Sequence, residues 1–288
     1  MITIILITFF YLVSVGFLTV LERKIIGIVQ NRVSVFKFGV LGFYYFFLDF
    51  LKVFLKNFFS KGSKKISSVV FLLFLLILLL IISFNLLIIG ISVKNTLNVN
   101  FLGLFIIIYL TLDSFIFILK IFFICTFKSK YVGISTQRLK LVYLFLEGIF
   151  IFTSLLFLVL GEFSSNFCYI IFVLFILGLL KSFRTPFDYM ESESETVSGV
   201  LLELQGVGFL LGSLLEYGVI INNLFFIVFL LNLGFISGLF YLIFFIFITS
   251  FLRALVVRVR IQTLFYIIYQ FWVFFTIVVF IIIVIFIF

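Results

Sequence analysis

Long apolar runs, interrupted by short clusters of charge, set the organisation of this chain. Val69 to Ile82 and Val273 to Phe288 contain no charged residue, and a helix that crosses a bilayer needs roughly 20 mostly apolar residues. Sustained apolarity predicts spans near 2–21, 67–93, 101–120, 141–161, 167–180, 204–222, 224–251 and 264–287. Residues 41–59 are long enough for another, but Asp49, Lys52 and Lys56 fall at i, i+3 and i+7 and share a helical face with Tyr45. Charges at a bilayer centre cost about 2.5–3.5 kcal/mol each on insertion scales, so this segment is expected in the headgroup layer as an amphipathic helix. The expected fold is all-α: a polytopic membrane protein with about eight transmembrane helices plus one interfacial amphipathic helix.

No internal repeat and no Ser- or Gly-rich linker divides the chain, so residues 1–288 are expected to form a single integral membrane domain. It comprises a first span at 1–21, a basic loop at 22–66 holding the amphipathic helix 41–59, and spans two to five within 67–180. An acidic loop at 181–203 and spans six to eight within 204–288 complete it. The N-terminal stretch lacks a basic n-region and a small-residue cleavage motif, and is expected to be a retained helix rather than a signal peptide.

Charge fixes an orientation for this arrangement. The segments after spans one, three, five and seven, with their immediate ends, carry 9, 5, 2 and 3 Lys or Arg, which is 19 of the 20; only Lys94 falls on the other side. By the positive-inside rule both termini face the opposite compartment. A further span at 41–59 would carry Lys61, Lys64 and Lys65 across and spoil the partition. The net charge of +9 thus belongs to one surface, suited to anionic lipid heads or an acidic partner subunit; nothing else supports nucleic acid.

Composition narrows the chemistry. Charged residues make up 11% of the chain against about 25% in an ordinary soluble domain, which excludes a soluble fold. There is no His, and the two cysteines, Cys125 and Cys168, are distant, so imidazole metal sites and Cys–His chemistry are excluded. Phe occurs 49 times while Ala254 and Pro186 are the sole Ala and Pro. Phe, Ile, Lys, Asn and Tyr need little but A and T in their codons, so an AT-rich genome such as an organelle's accounts for the skew, and aromatic stripes here are weak functional evidence.

The remaining polar residues gather in four places. Leu21 to Lys65 is the basic loop and interfacial helix, serving either anchoring or the admission of a lipid-borne ligand. Lys128 to Lys140 is a second basic loop, followed by Glu147 about two turns inside a span, where an ionisable group needs a partner or a water-filled cavity. Asp113 poses the same question, with Lys120 on its helical face; a structural pair and a proton site both fit. The stretch 181–218 is the richest. Arg184, Asp188, Glu191 and Glu195 form one stripe if helical, with Pro186 near a helix start, and Glu203 and Glu216 extend the acidic series into the next span. A solvated loop accounts for Glu193 but not for carboxylates carried into an apolar run, so proton handling is the expected role. Last, Arg253, Arg258 and Arg260 either obey the inside rule or neutralise the acidic stripe across a shared cavity.

These clusters resemble a known family, the mitochondrially encoded subunit 1 of respiratory NADH:ubiquinone oxidoreductase, complex I. The motifs read LERKIIGIVQNR at 21–32, SKY at 129–131 followed by Arg138 and Glu147, RTPFDYMESESETVSG at 184–199 followed by Glu203 and Glu216-Tyr217, and RALVVRVR at 253–260. The third is close to the family's R-A-P-F-D-x-x-E-x-E-S-E-x-V-S-G. The resemblance spans nearly the whole chain and implies eight spans. It also implies a place at the heel of a membrane arm, docking of the peripheral arm with its quinone-site and iron-sulfur subunits, and a tunnel admitting ubiquinone. FMN and iron-sulfur clusters are implied in partner subunits, none in this chain.

By motif position, Glu22, Arg23, Gln30, Arg32, Asp49, Arg258 and Arg260 would line or shape the quinone tunnel. Glu147, Asp188, Glu191, Glu195, Glu203, Glu216, Tyr217, Arg138 and Arg184 would form the proton-coupling network leading toward antiporter-like membrane subunits. Cardiolipin-type anionic lipids are implied partners, as is a mitochondrial inner-membrane location with basic loops on the matrix side and termini in the intermembrane space. The chain departs from the family in reading RVSVF at 32–36 where R-K-G-P-N is usual. It has Lys181 for an acidic residue, Phe145 and Leu146 for polar ones, and Asp113 where Ser is common. A secondary transporter or ion-channel subunit would instead predict repeated halves and broken spans in matching positions, which the sequence lacks. A pure scaffold would leave the carboxylates within the spans without a role, and a quinone-independent relative such as a membrane-bound hydrogenase does not suit the organelle-like composition.

Overall fold

The computed structural model describes residues 2–32, 42, 44–45, 47–49, 51–52, 64–93, 104–113, 116, 130–161, 168–182, 186–187, 207–231, 235–257, 259, 262–263 and 265–270. Among these the regular structure is helical: α1 (Ile2–Val29), α2 (Lys64–Val93), α3 (Leu104–Asp113), α4 (Lys130–Gly161), α5 (Cys168–Lys181), α6 (Val207–Leu230) and α7 (Phe235–Leu255). The described part of the chain contains two helical stretches long and apolar enough to cross a membrane on length and composition, Gly208–Leu230 and Ser237–Leu255.

Helix α6 is the hub, packing against α1, α2, α5 and α7, while α1 also meets α2 and α7, and α4 meets α5. Its burial follows from apolar residues on several faces: Leu224, Phe226, Ile227 and Leu230 enter one core with Leu146, Phe150, Leu174 and Leu177, whereas Leu215 and Ile221 enter a second with Tyr11, Leu76 and Leu80. Helix α7 is the reverse. Phe240, Ile243, Phe244, Phe247 and Phe251 form an exposed ridge, and α2 repeats the pattern with Phe74, Leu78 and Ile82. Buried polar side chains, by contrast, face inward: Ser83, Asp113, Glu147, Thr153, Ser154, Lys181 and Asn222. Apolar outside and polar inside is the arrangement a lipid solvent favours, since lipid cannot satisfy polar groups.

Three boundaries differ from the sequence expectation. Helix α1 does not stop at 21 but runs to Val29, taking Glu22, Arg23 and Lys24 into the helix. It ends at Asn31, which adopts φ 51°. The Asn31 N–H donates to the Ile28 carbonyl at 3.1 Å and the Arg32 N–H to Gly27 at 2.9 Å, the paired bonds of a Schellman cap. The basic stretch 128–140 is not a loop throughout, because α4 starts at Lys130. The break expected near 223 is absent: α6 continues to Leu230 and α7 begins at Phe235.

The physical reason for the third is that Asn222 sits in the bundle with its amide satisfied. Its Nδ2 donates to Ser83 Oγ at 2.9 Å and to the Leu80 carbonyl at 3.4 Å. The Tyr11 hydroxyl donates to Asn222 Oδ1 at 3.0 Å and approaches the Gly218 carbonyl at 3.2 Å. This network ties α1, α2 and α6 together and needs Gly218, where an added Cβ would lie 3.0 Å from Leu80 and 3.1 Å from the Tyr11 hydroxyl. Of the interfacial helix expected at 41–59, short pieces are described: Phe47 meets Phe17 of α1 edge-on at 6.3 Å, and the rest lies outside the described residues.

Candidate functional site

Three of the four sequence motifs meet at the ends of α1, α5 and α7. Glu22, buried on α1, accepts a hydrogen bond from Arg253 Nη1 in the last turn of α7, across 231 positions of sequence. The Tyr217 side chain of α6 lies within electrostatic reach of the same guanidinium. Pro186 lies in a turn, and its carbonyl accepts from the Val259 N–H at 2.9 Å, joining the third motif to the fourth. A cavity of about 20 Å³ lies at this junction, lined by Glu22, Ser182, Pro186, Phe187, Thr249 and Arg253 among others. That volume is room for about one water.

Arg23, next to Glu22, turns the other way and pairs with Asp49 at 3.1 Å, with side chains 55% and 43% exposed. Gln30 and Arg32 flank Asn31 in the exposed cap of α1. The structure therefore brings Glu22 and Tyr217 together through Arg253, sets Arg23 against Asp49 at the surface, and leaves Gln30 and Arg32 at the end of the same helix.

A second polar cluster begins one residue from the cavity. Lys181 ends α5, and its Nζ lies 3.2 Å from Asp113 Oδ2 on α3, with side chains 1% and 3% exposed. The sequence pattern pairs Asp113 with Lys120, which lies outside the described residues; the partner observed is Lys181. The ammonium also lies 4.5 Å from the Phe150 ring centroid and 5.4 Å from that of Tyr143, within the range of cation–π attraction. Glu147 is buried one turn after Tyr143 on α4, and Glu216 is half-buried beside Tyr217 on α6.

Several expected site residues fall elsewhere. Asp188, Glu191, Glu195, Glu203, Arg184, Arg258 and Arg260 lie outside the described residues, and Arg138 is described as part of α4 without its side chain. The sequence groups Arg253 with Arg258 and Arg260, either obeying the inside rule or neutralising the acidic stripe across a shared cavity, and does not pair it with Glu22. A signal is present, since a lone guanidinium at the end of an apolar helix needs a carboxylate, but no periodicity points from 253 to 22.

The family model described as NADH dehydrogenase matches residues 2–285. The chain belongs to this family. Among its relatives are proteins named NADH-ubiquinone oxidoreductase chain 1 from Apis mellifera ligustica, 27% identical over 90% of this chain and 86% of the relative, and from Locusta migratoria, 31% identical over 86% and 81%. The same name belongs to a relative from Artemia franciscana, 32% identical over 73% of this chain and 74% of its own length. Membership gives the observed junction its context: within the NADH dehydrogenase family this is the complex I chain 1 type.

Proposed function

We propose that this chain forms the ubiquinone access path and the carboxylate network that couples quinone reduction to proton translocation in complex I. The observation that carries this reading is the Glu22–Arg253–Tyr217 junction, because it joins a residue assigned by motif to the quinone path with one assigned to the coupling network. Two-electron reduction of a quinone requires two protons. A unit charge created about 10 Å away is worth roughly 1.7 kcal/mol at an effective dielectric of 20, enough to change a proton affinity about tenfold. That biases a relay but does not by itself drive a whole pumping stroke.

The assignments of Asp188, Glu191, Glu195, Glu203, Glu147, Glu216, Tyr217, Arg138 and Arg184 to the network, and of Glu22, Arg23, Gln30, Arg32, Asp49, Arg258 and Arg260 to the path, rest on motif position. So do the mitochondrial inner-membrane location, the matrix-facing basic loops, the docking of the peripheral arm, the antiporter-like neighbours and the anionic lipid contacts. In the assembled enzyme, Glu191→Gln and Glu203→Gln are expected to lower quinone-coupled turnover while sparing electron transfer from NADH to a soluble acceptor. Unchanged quinone activity in both variants sinks the relay.

A further inference from the structure

The buried cluster around Lys181 deepens the proposed coupling function and rests on it. Lys181 and Asp113 form an ion pair almost wholly removed from solvent, on which Tyr143 and Phe150 close. Tyr143 is within Coulombic reach of Asp113, Glu147 and Tyr109. Tyr109 precedes Asp113 by one helical turn, and its buried hydroxyl has no hydrogen-bond partner among the described residues. Asn223, 2% exposed, likewise has neither end of its amide satisfied among them. Its Cβ lies against Gly178, one turn before Lys181.

A pair that serves packing alone does not account for those neighbours. Buried hydroxyl and amide groups without protein partners are the groups that internal water serves, and here they stand beside titratable side chains in a region of low dielectric. We infer that the Lys181–Asp113 pair is a proton-carrying link in the coupling network, with Tyr109 and Asn223 holding the water that receives its proton. In the transfer, an Nζ–H bond of the Lys181 ammonium breaks as an O–H bond forms on Asp113, leaving a neutral amine and a neutral acid. Asp113 then releases its proton to the water at Tyr109. The amine regains one from a Glu147 carboxylic acid, through the Tyr143 hydroxyl or a bridging water. One proton enters and one leaves, and no net charge is created in the pair by the internal step.

Lys181→Arg in the assembled enzyme separates this role from a structural one, because guanidinium keeps the ion pair but does not release a proton at working pH. Assembly and NADH oxidation by a soluble acceptor should stay within about twofold of the parent, while quinone-coupled turnover in sealed vesicles falls tenfold or more. Full coupled turnover overturns the inference. Where Lys181→Arg impairs assembly, Tyr109→Phe decides: it deletes only the unpartnered hydroxyl, and a several-fold loss of turnover supports the link whereas parental turnover and protons per electron overturn it. Glu216→Gln, measured alongside, separates the two readings. Coupling lost in Glu216→Gln but retained in the deciding variant removes the Lys181 link alone; coupling retained in both, and in Glu191→Gln and Glu203→Gln, removes the proposed relay as well.

Discussion

Arg253→Met leaves the Glu22 carboxyl, 6% exposed, without its guanidinium. Removing one member of a buried ion pair costs about 3–5 kcal/mol, most of it the penalty of an unpaired buried charge. Arg253 is itself 31% exposed, so water reaches part of the site and the cost should fall near the lower end, about 3 kcal/mol, or roughly a hundredfold in an equilibrium. Adding Glu22→Gln to Arg253→Met removes the buried carboxylate that has lost its guanidinium and should recover about 2 kcal/mol of that loss. Arg253→Lys should be intermediate, because a single ammonium lacks the planar fork of the guanidinium. The amount of assembled complex and its temperature of half-inactivation read stability; NADH:quinone turnover reads function. Native assembly, stability and turnover in Arg253→Met, or a double variant no better than the single one, would refute the reasoning.

The other polar contacts give contrasting expectations. Asn222→Leu removes the bonds to Ser83, Leu80 and Tyr11; interhelical hydrogen bonds within membranes average about 0.6 kcal/mol, so a loss of about 1–2 kcal/mol should lower the half-inactivation temperature without changing turnover at low temperature. Arg23→Gln breaks a pair whose side chains are 55% and 43% exposed, and should change thermal inactivation by less than about 1 kcal/mol.

Much of the site is legible in the sequence because charge is scarce. Glu147 and Asp113 stand out as ionisable residues within apolar runs, and both are buried. What sequence pattern does not encode is the partner: Lys120 shares a helical face with Asp113, but Lys181 reaches it from another helix. Helix ends are hard to place for a related reason. Glu22 and Asn222 look like interruptions in a one-dimensional hydropathy pattern, yet a charge paired across helices or an amide satisfied inside the bundle costs little enough for the helix to continue. The cap at Asn31 is obscured because Asn, rather than the usual Gly, supplies the left-handed residue.

The abundance of Phe can be tested in the same terms. If most of it reflects codon background, its structural value should depend on position rather than on aromatic character. Phe244 is 57% exposed on the outer ridge of α7, so Phe244→Leu exchanges one apolar surface for another and should leave assembly and thermal inactivation unchanged. Phe226 is fully buried, stacked on Tyr109 with ring centroids 5.0 Å apart and close to Phe150 at 5.6 Å. Phe226→Leu loses the ring contacts and opens space in the core, for a cost of about 1–3 kcal/mol. Equal effects of the two substitutions on half-inactivation temperature would contradict the distinction. A large effect at Phe244 alone would mean that the ridge meets a partner subunit rather than lipid, since lipid has no means of telling Leu from Phe by shape.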